Sequence, residues 1–187
     1  VTYMAPFYVV RLAADALDAG RRRVQQALHG HRGRAGAPLY AARRTLHTGA
    51  SLLTARQHAR LDALFADDAH AEVEATWMVY QQLVTAYRET DPKQGRKRMR
   101  KLITALTHGV PAALAEVRRL GRTLAKRAGD VLAYFDRPRT SNGPTEAING
   151  RLEHLRGSAL GFRNLTNYVA RSLLETGGFR PALHPRL

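Results

Sequence analysis

Glu146 is the single acid in RPRTSNGPTEAING, the segment from Arg137 to Gly150, where every other charge is an arginine. Asn142 and Gly143 signal a turn and Pro144 suits a first helical position, which puts Glu146 in the opening turn of a helix. Two roles fit a carboxylate there. It can complement the positive end of the helix dipole, worth about 0.3–1 kcal/mol. It can also hold a divalent cation that is itself bound to phosphate, because Asn142 and Asn149 share its side of the helix and Arg151 and Arg163 are near in sequence.

The second set of candidates is cationic. Arg118, Arg122 and Lys126 recur every four residues and therefore share one helix face, with Arg119 and Arg127 beside them. Upstream, KQGRKRMRK gathers Lys93, Arg96, Lys97, Arg98, Arg100 and Lys101 without an acid. Like charges at this spacing weaken an isolated helix by roughly a few tenths of a kcal/mol each. A phosphate ladder reverses that cost through counterion release, so Lys97, Arg100, Lys101, Arg118, Arg122 and Lys126 are candidate DNA contacts, joined by Asn142, Arg151 and Arg163. The competing reading is a solvated basic face, and nothing in these residues reads a base sequence. Other chemistries find little support. The chain has no cysteine, which excludes disulfides and thiolate zinc sites. His29 and His31 lack further ligands, and GHRGRAG lacks the lysine-serine ending of a phosphate cradle. Trp77, Tyr80 and Tyr87 sit at core spacing.

These residues need helices to position them. Residues 1–10, rich in Val, Tyr and Phe, predict a short buried strand interrupted at Pro6. Helical spacing follows: Val10, Ala13, Leu17, Val24 and Leu28 form one stripe, ended by a basic Gly-rich loop through Gly30, Gly33, Gly36 and Pro38. A short helix near Leu39–His47 comes next, then one opened by Thr54 and Gln57 at capping-box spacing with Leu61, Leu64 and Phe65 inward. Val73, Trp77, Tyr80, Val84 and Tyr87 mark an amphipathic helix. Asp91-Pro92 starts another, with Met99, Leu102, Ile103 and Leu106 inward, ending at Gly109. Pro111 opens a helix through Leu114, Val117 and Leu124 to Phe135. The last third predicts two helices, one with a stripe of Ile148, Leu152 and Leu155, the other over about 165–175 burying Leu165, Tyr168, Val169 and Leu173. The fold class is mainly α, with at most a short β-strand at the N-terminus.

Composition fits a DNA partner. The 187 residues carry 30 Lys+Arg against 15 Asp+Glu, a net charge of +15. No apolar run is long enough to span a bilayer, and the absence of cysteine fits a reducing cytoplasm. The opening VTYMAPFYVV reads as an interior strand cut at its start, which predicts a fragment with apolar faces left open at Val10, Leu17, Ile148 and Leu155.

The stretch SNGPTEAINGRLEHLRGSALGFRNLTNYVARSLLETGGFRP, residues 141–181, closely resembles the C-terminal end of bacterial insertion-sequence transposases of the ISL-three family, with weaker similarity back to residue 1. The resemblance implies a DDE enzyme with a ribonuclease-H-like core, in which three carboxylates hold two Mg²⁺ or Mn²⁺ ions for cleavage and strand transfer on double-stranded DNA. It implies that Glu146 is the third acid and a metal ligand, and that other transposase chains are partners. It further implies residual core elements over 1–30, a helical insertion over 31–136 and C-terminal core helices over 137–187. The family's Asp-Pro-Phe-His is here APFY: Ala5 stands where the second Asp is expected and Tyr8 where the His is. Asp15 and Asp18, on the following helix, lie about 15 Å or more from position 5 at 1.5 Å per residue. The expectation is a truncated, degenerate transposase that is inactive alone. The alternatives are a non-catalytic basic module that binds DNA or intact transposase copies, and a pseudogene product without function.

Overall fold

The computed structural model describes residues 4–136 and 143–158, with residues 168, 169 and 172 beyond them. No strand occurs among the described residues. The chain divides into two compact units, Val1–Arg139 and Thr140–Leu187.

The first unit is built on α1 (Pro6–His29). The predicted strand is overturned from Pro6 onward. Proline at N1 fixes φ for a helix and has no N–H to waste, and Ala5 before it is extended at φ −61°, ψ 142°. Tertiary packing then overrides the strand preference of Phe7-Tyr8-Val9-Val10, since the Val9–Ala13–Leu17 spacing supplies one buried stripe. The register differs slightly from expectation: Val9 is fully buried, Val10 only half, and Leu28 is 42% exposed. Leu17, expected to lie open, is 1% exposed because α5 and α7 pack over α1. Gly30 ends the helix at φ +66°, its N–H donating to the Gln26 carbonyl.

Two short helices follow, α2 (Pro38–Ala41) and α3 (Arg43–Leu46), in place of the single one expected. The capping box at Thr54 and Gln57 forms on α4 (Ala55–Phe65): the Gln57 N–H donates to Thr54 Oγ1 at 3.3 Å and Thr54 N–H to Gln57 Oε1 at 2.9 Å. The helix α5 (Ala71–Arg88) buries Val73, Tyr80, Leu83 and Val84. Asp91 caps α6 (Pro92–His108), accepting from the Lys93 N–H at 2.9 Å, and Met99, Leu102, Ile103 and Leu106 face inward as the periodicity predicts.

The helix predicted from Pro111 to Phe135 is two helices, α7 (Ala115–Lys126) and α8 (Ala128–Asp136), separated at Arg127 with φ −113°. The break lets α8 bring Phe135 against Gly95 while Gly121 of α7 meets the Leu106 carbonyl, so α6 packs on both. Tyr87 stacks on Phe135, ring centroids 5.3 Å apart.

In the second unit α9 spans Gly143–Ser158. Its stripe is shallower than expected, with Ile148 41% exposed and Leu152 and Leu155 half-buried. Tyr168, Val169 and Ser172 are helical, but Val169 is 47% exposed and so is not the buried position expected. Leu165 and Leu173 lie outside the described residues.

Candidate nucleic-acid interface

The inward stripe of α6 dictates what its outer face carries. With Gly95, Met99, Leu102, Ile103 and Leu106 buried, Lys97, Arg100 and Lys101 are left exposed on the opposite side. Two other cations of the same segment are internally neutralised: Arg96 Nε pairs with Asp136 at 3.2 Å and Arg98 Nε with Glu89 at 3.0 Å. Lys97, Arg100 and Lys101 have no carboxylate within ion-pair distance among the described residues. The same division appears on α7. Val117, Leu120, Gly121 and Leu124 are buried, which turns Arg118, Arg122 and Lys126 outward, exposed and without a carboxylate among the described residues. Arg127, at the break, is held by Asp130 at 2.9 Å.

A three-helix ion node fixes α7 on the rest of the unit. Arg23 of α1 donates from Nε to Glu116 Oε1 at 2.8 Å and from Nη2 to the Ala113 carbonyl at 3.0 Å, and Nη1 meets Glu72 of α5 at 2.7 Å. The hydrogen bond from Arg23 holds the Glu116 carboxyl below its ordinary value, against a smaller opposing effect of burial. Reciprocally, the bond to Glu116 raises the Arg23 guanidinium further.

Beside the α6 face runs an open groove of about 500 Å³, with Gln81, Gln82 and Thr85 of α5 along one side and Arg98 and Lys101 of α6 along the other. Gln81 also accepts from the Ala50 N–H at 2.8 Å and donates to the Thr48 carbonyl at 2.9 Å, clamping the 48–50 segment onto α5. From sequence, α5 is legible only as a core helix. The one available signal was the adjacent glutamine pair off its apolar stripe.

The acid-centred candidates divide between the two units. The backbone of Glu146 lies in the first turn of α9, where Pro144 placed it, and Arg151 on the same helix is exposed. The side chains of Glu146 and Asn149, and the whole of Asn142 and Arg163, lie outside the described residues. Ala5 is 7% exposed at the start of α1, next to Met4, whose N–H donates to the Asp130 carbonyl at 3.0 Å. Tyr8 is 44% exposed. Asp18 does not point toward position 5: it accepts from Arg22 at 2.8 Å and Arg21 at 3.3 Å, with His47 at 3.4 Å. His29 and His31 stack on each other at 5.9 Å, and among the described residues no three His, Cys, Asp or Glu side chains gather to hold a metal ion. No helix among the described residues is long and apolar enough to cross a membrane.

A sequence model described as a transposase, of the DDE ISL-three kind, matches residues 2–172. The chain belongs to this transposase family. Comparison with curated proteins and with solved structures gives no match. The transposase match runs through both units, so α6, α7 and α9 all belong to the family's own sequence and not to an appended segment. Divalent-metal chemistry is general to such enzymes, and the Glu146 side chain expected to serve it lies outside the described residues. Ala5 offers only a methyl group, and no group of three His, Cys, Asp or Glu side chains gathers among the described residues.

Proposed function

We propose that this transposase chain holds double-stranded DNA on the exposed faces of α6 and α7 and does not cut it unaided. The observation that carries the reading is the sorting of its cations. Arg23, Arg96, Arg98 and Arg127 are spent on internal carboxylates, whereas Lys97, Arg100, Lys101, Arg118, Arg122 and Lys126 are exposed without such partners among the described residues. Unpaired cations on packed helices release counterions on meeting phosphate, which favours a backbone contact tolerant of sequence. In the parent chemistry Glu146 is the third acid of a DDE site in a ribonuclease-H-like core, working with Mg²⁺ or Mn²⁺ in cleavage and strand transfer, and Arg151, Asn142 and Arg163 are DNA contacts beside it. Alanine at position 5 has no atom that can ligate a metal, so the second acid of that site is missing from the position where the resemblance places it. The setting is the bacterial cytoplasm, with other transposase chains as partners.

The test is binding of the 187-residue chain to a duplex across a salt series. If Arg118, Arg122 and Lys126 each contact a phosphate, replacing all three by alanine lowers the log–log salt slope by about 2.7, from about 0.9 per contact. An unchanged slope would remove α7 from the interface.

A further inference from the structure

The chain's positive charge is not evenly spread. Residues 19–61 contain nine arginines and neither Asp nor Glu, which accounts for +9 of the net +15. Arg21, Arg22 and Arg23 are matched by Asp18, Glu72 and Glu116. The other six, Arg32, Arg34, Arg43, Arg44, Arg56 and Arg60, have no carboxylate within ion-pair distance among the described residues, and all but Arg43 are exposed.

The loop that bears the first two is built rather than slack. Gly33, at φ +126°, sits so close to Tyr40 that a Cβ there would be 2.5 Å from the ring, and its N–H donates to His31 Nδ1 at 3.1 Å. With Gly33 turned onto Tyr40, its neighbours Arg32 and Arg34 are exposed. The same ring carries Arg43, whose guanidinium carbon lies 4.1 Å from the ring centroid while Nη1 donates to the Tyr40 carbonyl at 2.9 Å. Arg44, next to it on α3, is exposed, and Arg56 and Arg60 stand one turn apart on α4, which packs against α3.

We propose that the 30–37 loop and α3 form a second phosphate-contact surface for duplex DNA, carried on elements other than α6 and α7. The proposal rests on the DNA reading above and extends its footprint. Duplex backbone fits better than a single strand. Strand-binding grooves offer aromatic faces for bases, and Tyr40, the one Tyr, Phe or Trp in this stretch, is already occupied by Gly33 and Arg43.

The deciding experiment measures the salt dependence of binding to a 30-base-pair duplex and to a single strand of equal length. The proteins are the 187-residue chain, its Arg32→Gln/Arg34→Gln/Arg44→Gln variant, the matching Arg→Lys variant, and the α7 triple alanine variant. The glutamine variant is expected to lower the duplex slope by about 2.7, additively with the α7 variant, while the lysine variant keeps the parent slope. If the α7 variant lowers the slope and the glutamine variant does not, the second surface is refuted and the α6–α7 reading stands. If the parent chain binds no duplex, both fall. Preference for the single strand, lost in the glutamine variant, would also overturn the proposal. Should the triple glutamine variant fail to fold, the single variants Arg32→Gln, Arg34→Gln and Arg44→Gln decide: each is expected to lower the slope by about 0.9, and unchanged slopes in all three folded proteins contradict the proposal.

Discussion

Two glycines set how closely the helices of the first unit approach. A Cβ at Gly95 would lie 2.7 Å from the Ala86 carbonyl oxygen and one at Gly121 2.5 Å from that of Leu106, in both cases against backbone that cannot turn aside. Gly95→Ala or Gly121→Ala is expected to destabilise the fold by about 1–3 kcal/mol, read as a lower denaturant midpoint in urea. Gly129 is the internal control. It sits in α8 with nothing within 4 Å of its would-be Cβ, so Gly129→Ala should stabilise by about 0.5–1 kcal/mol. If all three variants shift the midpoint alike, close approach is not what the two packed glycines provide.

At the scale of elements, the Arg23 node joins α1, α5 and α7 and makes their packing depend on pH. Glu116 has its folded value held below the ordinary value of 4.5. Its contribution is therefore present above pH 4.5 and fades as pH falls through the lower folded value. Thermal unfolding should show Glu116→Gln less stable than the parent at neutral pH, with the gap closing in acid. Parallel curves would show that the node adds no pH-dependent stability. How far such elements can be read from sequence depends on what encodes them. The stripes of α5 and α6 and the Thr54 cap were legible because spacing or a local hydrogen bond specifies them. The first turn of α1 is not, because Val, Tyr and Phe favour strands in isolation and only packing on α5 and α7 selects the helix there. The α7–α8 break was equally hidden: Arg127-Ala128 contains no Gly or Pro, and the turn serves Phe135's place on Gly95. The α5–α6 groove and the pairing of Arg96 and Arg98 depend on contacts between elements, which no single segment announces.

Over the whole molecule, a net charge of +15 and membership of a transposase family agree on DNA, and the proposal that the chain binds without cutting unaided turns on position 5. Ala5 cannot ligate an ion, and Asp18, one of the acids that follow it on α1, is engaged by arginines. Binding should then survive loss of the proposed third acid: Glu146→Gln should bind duplex with the parent's affinity and salt slope. A clear loss of affinity in that variant would mean that the α9 acid organises the DNA contact itself. The most direct measurement is nicking of supercoiled DNA carrying transposon ends by the purified 187-residue chain in Mg²⁺ or Mn²⁺, with Glu146→Gln alongside. Binding without unaided cleavage predicts equal background in the two proteins. Nicking that disappears with Glu146→Gln would contradict it.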